Sequence, residues 1–102
     1  MTRVTFVALM ALGLPLSASA QYSIAVDPGH GGSDPGALGC GLEEANVNLN
    51  VGLKLKALIE ADPDLSVIMT RTTDSFVSLQ GRVDIANDAG VTRFASIHAN
   101  AF

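Results

Sequence analysis

Runs of apolar residues, separated by glycine, proline and polar residues, predict three strands in this chain. The first strand, at residues 23–26, is a short apolar run that Asp27, Pro28 and Gly29 interrupt, as is typical of a buried strand. Similar runs at residues 65–70 and 94–98 predict the second and third strands. Each run is too short for a helix and lies between polar or breaker-rich segments.

Two helices are predicted between these strands. Residues 44–61 fit both a strand period and a helix period, but their length and their leucine, lysine, alanine and glutamate content favour a helix. Asparagine and glycine within the segment also disfavour a strand interior, and Pro63 follows as a stop. The second helix is indicated by the spacing of Leu79, Val83 and Ala86, with Ser78 as N-cap and Gly90 as the C-terminal stop.

The alternation of strand, helix, strand, helix and strand predicts an α/β fold with a mostly parallel sheet and helices packed on it. Between the first strand and the first helix lies a segment rich in glycine and proline, DPGHGGSDPGALGCGLE. We expect no regular element there, because breakers are too dense. Loops of this length inside small domains are usually functional or disordered.

The first twenty residues have the pattern of a secretory signal peptide. Arg3 precedes the apolar stretch VTFVALMALGLPL, which is too short to span a bilayer, and Ala18-Ser19-Ala20 fits a cleavage site of small residues. We therefore expect cleavage near Ala20 and a secreted or periplasmic product. A membrane anchor or a buried helix is the alternative interpretation.

Residues 21–102 keep five basic and all ten acidic residues, which gives a formal charge of −5. A net negative charge of this kind gives no electrostatic attraction for nucleic acid or anionic lipid. The length admits one small domain, and such a domain has marginal stability without a metal, a partner or more chain. Cys40 is the sole cysteine, so no intramolecular disulfide is possible; a metal ligand, a free thiol or a small structural residue all stay open.

Three side chains suggest a metal site. His30 follows the first predicted strand, His98 ends the third, and Glu44 lies where the glycine-rich loop enters the first helix. The carboxyl ends of parallel strands share one edge of the sheet, where α/β proteins place their sites. Two imidazoles and one carboxylate form a ligand set of catalytic zinc with an open position for water, although other divalent ions accept them too.

Simpler roles for these residues stay open at this point. His30 could cap backbone carbonyls, and His98 could be a hydrogen-bonded histidine at a strand end. Glu44 could be a carboxylate in the first turn of a helix, where the macrodipole favours negative charge, and Glu43 fits that role equally well. A phosphate-binding loop is a further alternative, but the segment has neither GK[ST] nor G-x-G-x-x-G.

Four blocks in order, DPGHGGSDPGA, GLEEANVNLNVGLKLKALIE, VIMTRTTDSFVSLQGRVDIAN and FASIHANAF, resemble the zinc-dependent N-acetylmuramoyl-L-alanine amidase family of the amidase-3 type. The resemblance implies a three-layer amidase-like α/β fold and hydrolysis of the amide between N-acetylmuramic acid and L-alanine of the peptidoglycan stem peptide. It implies that His30, Glu44 and His98 are the zinc ligands, and it selects Glu44 over Glu43. It also supports the helix after Glu44.

The resemblance extends to four other positions, for which we expect structural roles that tie loops and helix ends together. These positions are Arg71, Asp74, Arg82 and Asn87.

Family members continue past the SIHAN block and supply a general-base glutamate, whose position would lie beyond Phe102. The resemblance therefore assigns no catalytic base within this sequence. We expect residues 21–102 to be the amino-terminal part of an amidase domain, truncated after the third strand, that binds zinc weakly and hydrolyses little. An activator requirement stays open. The alternative is a non-catalytic module that binds peptidoglycan or zinc, or an inactive remnant.

Overall fold

The computed structural model describes residues 21–100 of the 102-residue chain. The predicted signal peptide, residues 1–20, lies outside the described residues, so its cleavage near Ala20 stays a prediction. Phe102 also lies outside them, and the placement of a general-base glutamate beyond Phe102 likewise stays a prediction.

Within the described part, the chain forms one parallel sheet, two helices and a small hairpin. The elements are β1 Tyr22–Pro28, β2 Leu38–Gly39, β3 Leu42–Glu43, α1 Glu44–Glu60, β4 Leu65–Met69, α2 Leu79–Asp88 and β5 Arg93–Ile97.

The parallel sheet confirms the predicted α/β fold. Its strand order is β4-β1-β5, and β1 pairs in parallel with both neighbours. Val26 in the central strand lies opposite Met69 on one side and Ala95 on the other. Ala25 and Val26 are fully buried, which explains the continuous apolar run seen in the sequence. β1 runs from Tyr22 to Pro28 and is longer than predicted.

The two helices lie close to their predicted positions. α1 begins at Glu44 as predicted, ends at Glu60, and packs on β1 and β4 through a buried face that includes Ala45 and Asn48. α2 begins after Ser78, whose hydroxyl accepts a hydrogen bond from the backbone N–H of Gly81 at 2.9 Å. This bond confirms Ser78 as the N-cap.

The prediction that the glycine-rich loop contains no regular element is wrong in one part. β2 and β3 form a short antiparallel hairpin in which Leu38 pairs with Glu43. Cys40 and Gly41, the two residues between the strands, have positive φ angles of 51° and 74°. Two central residues with positive φ are typical of the type I′ turn, which suits the twist of a hairpin. Strands of two residues have no measurable periodicity, so the sequence pattern did not predict them.

Candidate metal centre

The three predicted metal ligands come from three different elements and meet at one edge of the sheet. His30 follows the end of β1, His98 directly follows β5, and Glu44 is the first residue of α1. β1 and β5 are parallel neighbours, and the backbone N–H of Gly29 donates to the carbonyl of Ile97 at 2.9 Å. This pairing holds the backbones that lead to the two histidines side by side.

The ligand atoms of these three residues are close together. Glu44 Oε2 lies 3.3 Å from His30 Nε2 and 3.3 Å from His98 Nδ1. One ligand atom from each residue lies within 4.8 Å of the other two. The imidazole rings are 5.0 Å apart between centroids and nearly perpendicular, at 84°. Both histidines therefore face the same carboxylate oxygen from different directions.

The two distances from Glu44 Oε2 to the histidine nitrogens match the edge of a tetrahedral zinc site. Zinc bonds of about 2.0–2.1 Å to nitrogen and oxygen place two ligands of a tetrahedron about 3.3–3.4 Å apart. The two contacts to Glu44 Oε2 already have this length. The side chain of His98 is 41% exposed, so the cluster opens to solvent on that side. A set of three ligands with one open side is the arrangement of catalytic rather than structural zinc.

Glu44 is held as a buried carboxylate. Its Oε1 accepts the backbone N–H of Ala37 at 3.1 Å, and its Oε2 accepts the backbone N–H of Ala99 at 3.0 Å. The side-chain amide of Asn48 donates to Oε2 at 3.3 Å. Burial raises the pKa of Glu44, but the hydrogen bonds from Ala37, Ala99 and Asn48 outweigh it and lower the pKa to about 2. The group is therefore ionised at neutral pH.

Glu43 does not join the cluster. It is exposed, and its Oε2 lies 3.5 Å from the side-chain nitrogen of Asn46. The structure thus separates two adjacent glutamates that the sequence pattern alone could not distinguish.

His30 has an unusual backbone conformation that neighbouring side chains support. Its φ angle is +63°, in the left-handed region that side chains rarely adopt. Arg82 donates to the carbonyls of His30 and Pro28 at 2.8 and 2.7 Å, and Arg71 donates to those of Gly29 and Pro28 at 2.9 and 2.8 Å. Two buried guanidinium groups thus fix three successive carbonyls at the end of β1, where His30 must turn toward Glu44.

The structural role expected for Arg82 extends to a buried ion pair. Arg82 Nη1 donates to Asp27 Oδ1 at 2.8 Å, and the hydroxyls of Thr70 and Ser96 donate to the same carboxylate at 2.7 and 2.8 Å. Burial raises the pKa of Asp27, but the hydrogen bonds from Arg82, Thr70 and Ser96 outweigh it and hold the pKa below its usual value. Asp27 therefore connects β1, β4, β5 and α2 below the site.

Asp74 and Asn87 lie away from the three candidate ligands. Asp74 Oδ1 accepts the backbone N–H of Gly32 at 2.8 Å and so ties two loops together, as expected. Asn87 lines a separate hollow between α2 and β5, beside Val83 and Phe94. Cys40 is exposed at the tip of the hairpin and is not part of the cluster of candidate ligands.

Two glycines that the sequence reasoning did not single out leave room for the ligands. A Cβ atom at Gly29 would lie 2.3 Å from His98 Cε1, and one at Gly36 would lie 2.7 Å from His30 Cδ2. Both distances are far below van der Waals contact, so a side chain at either position would displace a histidine ring. In the sequence, these two glycines were distinguished only by lying in the same glycine-rich segment as His30.

Two hollows flank the cluster on different sides. One has a volume of about 330 Å³ and is lined by His30 and His98 together with Phe76 and Leu79. The other, of about 340 Å³, is lined by Glu44, Ala99 and residues of the β2–β3 hairpin. The candidate ligands therefore contribute to two concave surfaces.

The chain is similar to a known family of proteins. The family model described as N-acetylmuramoyl-L-alanine amidase (Amidase_3) matches residues 24–102. The sporulation-specific N-acetylmuramoyl-L-alanine amidase of Bacillus subtilis (strain 168) is 44% identical over 82 residues, which cover 79% of this chain and 32% of that protein. The chain therefore spans about a third of the length of this curated relative.

Solved structures show the same fold. The N-acetylmuramoyl-L-alanine amidase AmiC2 of Nostoc punctiforme matches with a TM-score of 0.76 and 44% identity, over 80% of this chain and 46% of that one. The CwlD amidase of Clostridioides difficile, solved in complex with the GerS lipoprotein, matches with a TM-score of 0.73 and 37% identity, over 79% and 49%. The described part thus corresponds to somewhat less than half of each solved chain.

Proposed function

This chain belongs to the N-acetylmuramoyl-L-alanine amidase family, and we propose that it supplies the metal-binding part of a zinc-dependent peptidoglycan amidase. The bond cleaved is the amide between the lactyl group of N-acetylmuramic acid and L-alanine of the stem peptide. The observation that carries this proposal is the meeting of His30, Glu44 and His98 within 4.8 Å, with both histidines 3.3 Å from Glu44 Oε2. A family name alone would not require these atoms to converge.

Zinc held by these residues would polarise the scissile carbonyl and lower the pKa of a bound water to about 7. His30 and His98 contribute neutral nitrogen ligands, and Glu44 contributes a charge that its hydrogen bonds keep ionised.

The general base is a separate group in this proposal. With a pKa of about 2, Glu44 is a poor general base at neutral pH, because an efficient base has a pKa near the working pH. We assign Glu44 as ligand only, and propose that a different carboxylate of the complete domain, at a position beyond Phe102, accepts the proton from water.

The surroundings of the cluster support a substrate of extended shape. One flanking hollow contains the apolar side chains of Phe76 and Leu79, and the other contains backbone and side chains of the β2–β3 hairpin. A muramoyl amide has a sugar on one side of the reacting bond and a peptide on the other. We propose that the two hollows receive these two parts.

Location and partners follow from the same family membership. We propose export to the periplasm or outside the cell, with cleavage of the signal peptide near Ala20, because peptidoglycan lies there. None of the helices in residues 21–100 combines the length and apolar character that crossing a bilayer requires. The acidic charge disfavours nucleic acid as a partner. An activator protein is a further candidate partner, since the related CwlD amidase was solved with the GerS lipoprotein.

The test places the described segment in a complete domain. Residues 24–100 replace the aligned residues of the Bacillus subtilis sporulation-specific amidase, and the release of free α-amino groups of L-alanine in purified peptidoglycan is measured. We expect release that a chelator stops, that added zinc restores, and that His98→Ala abolishes. Release that persists in His98→Ala or in chelator contradicts the proposal. A folded, zinc-loaded chimera that binds peptidoglycan without freeing these amino groups would instead favour the non-catalytic module.

A further inference from the structure

A carboxylate behind His30 occupies a position that the proposed function leaves unexplained. His30 Nδ1 lies 2.8 Å from Asp34 Oδ2, on the opposite side of the ring from Nε2, which faces Glu44. Asp34 is held in place by two backbone bonds: Gly31 N–H donates to its carbonyl at 2.7 Å, and its own N–H donates to the carbonyl of Gly31 at 3.0 Å. The contact is therefore built into a tight turn of the loop.

The other oxygen of Asp34 is also engaged. Asp34 Oδ1 accepts the backbone N–H of Gly36 at 3.1 Å, and Gly36 is the residue that leaves room for the His30 ring. The carboxylate thus has one oxygen fixed by the loop and one oxygen directed at the ring. Its rotation is restricted, so its bond to Nδ1 has a fixed direction.

We propose that Asp34 is a positioning residue that prepares His30 for the metal by keeping the proton on Nδ1 and the lone pair of Nε2 directed at the site. An ionised carboxylate can only accept a hydrogen bond, so the ring nitrogen facing it must be the donor. In a neutral imidazole the second nitrogen then has no proton and is free to coordinate. Partners of this kind fix the tautomer and orientation of metal-binding histidines. The inference rests on the proposed metal site.

Two substitutions at Asp34 separate this role from a merely structural one. In Asp34→Asn, the amide oxygen must accept the N–H of Gly36, so the amide NH2 points at His30 Nδ1. That donor requires a lone pair on Nδ1, which moves the ring proton to Nε2 and blocks coordination. Asp34→Ala removes both hydrogen bonds and weakens the loop, but it leaves the tautomer of His30 free. Asp34→Asn should therefore lose more zinc affinity than Asp34→Ala, whereas Asp34→Ala should lose more stability.

The experiment measures zinc affinity of the 102-residue chain by competition with a chromophoric chelator, and stability by urea unfolding. We expect zinc to bind Asp34→Asn about 10–100-fold more weakly than the parent chain, and Asp34→Ala to lose less affinity than Asp34→Asn. The urea midpoint should fall further in Asp34→Ala than in Asp34→Asn. Asp74→Asn is the matched control, because Asp74 also accepts a loop N–H but makes no hydrogen bond to the His30 ring; its zinc affinity should stay within about twofold.

A direct measurement on the metal-free chain locates the ring proton of His30 without any change at Asp34. The chain has only two histidines, so long-range 1H–15N spectra of His98→Ala report His30 alone. With Glu44→Ala added, so that no carboxylate faces Nε2, we expect a proton on Nδ1 and none on Nε2 of the neutral ring. A proton on Nε2, or zinc affinity in Asp34→Asn equal to that of the parent chain, overturns the role of Asp34. Absence of zinc binding by the parent chain would refute the proposed metal site instead, while the spectra would still decide the tautomer.

Discussion

Thr70→Val should destabilise the fold by removing one hydrogen bond to the buried carboxylate of Asp27. Thr70 is 5% exposed, and its hydroxyl donates to Asp27 Oδ1 at 2.7 Å. Valine keeps nearly the same shape, so the change removes a donor without creating a cavity. Hydrogen bonds to charged groups contribute about 1.5–3 kcal/mol. Arg82 and Ser96 still bind the carboxylate, so the fold should persist.

The assay is urea unfolding at neutral pH. With a slope of about 1 kcal/mol per molar urea for a chain of this size, the midpoint should fall by about 1.5–3 M. Thr73→Val is the matched control, because the Thr73 hydroxyl is exposed and faces only Ser75 Oγ at 3.3 Å. Its effect should stay within about 0.5 kcal/mol.

The pH dependence gives a second, independent check. The pKa of Asp27 lies below its usual value in the folded chain, so its contribution to stability is present above the unfolded pKa of about 3.9 and is lost as pH falls through the folded pKa. Without Thr70 as donor the pKa is lowered less, so the difference between the parent chain and Thr70→Val should narrow on acidification toward about pH 2. A variant that matches Thr73→Val at neutral pH, or a difference that stays constant with pH, would refute this reasoning.

Two further predictions concern the metal centre. Gly29→Ala should weaken zinc binding by at least about tenfold in chelator competition, because its Cβ would lie 2.3 Å from His98 Cε1. Gly39→Ala is the control and should leave zinc affinity unchanged, because its Cβ would meet nothing within 4 Å. Equal zinc affinities of the two variants would contradict the packing argument. Free zinc at about 100 times its dissociation constant should raise the free energy of unfolding by about 2.7 kcal/mol, measured by thermal melts with and without chelator. His98→Ala should lose this zinc-dependent shift, and an unchanged shift would place the metal elsewhere.

The sequence predicted the elements and the convergence of His30, Glu44 and His98 well, because both depend on patterns longer than a single turn. Period, length and capping residues located α1 and α2, and parallel strand ends imply a shared edge. The contacts that hold the site depend instead on backbone angles. The bond between Asp34 and His30 forms in a loop where His30 has a positive φ angle, and no sequence periodicity indicates such an angle.

The same limit applies to the hairpin and to Glu44. β2 and β3 have two residues each, and Asp34 lies in the segment rich in glycine and proline, where no sequence pattern marks it as a partner of His30. Choosing between Glu43 and Glu44 needed the family spacing, because either glutamate suits the first turn of a helix. In the structure the choice depends on which side chain reaches the backbone N–H groups of Ala37 and Ala99.

The most direct test of the central claim compares these two adjacent glutamates. Equilibrium dialysis of the 102-residue chain against zinc, followed by elemental analysis, should give one zinc per chain. Glu44→Gln should lose this zinc because it removes the charged ligand, whereas Glu43→Gln should retain it because Glu43 is exposed and outside the cluster. A parent chain that binds no zinc, or equal zinc contents in the two variants, would contradict the assignment of His30, Glu44 and His98 as a metal centre.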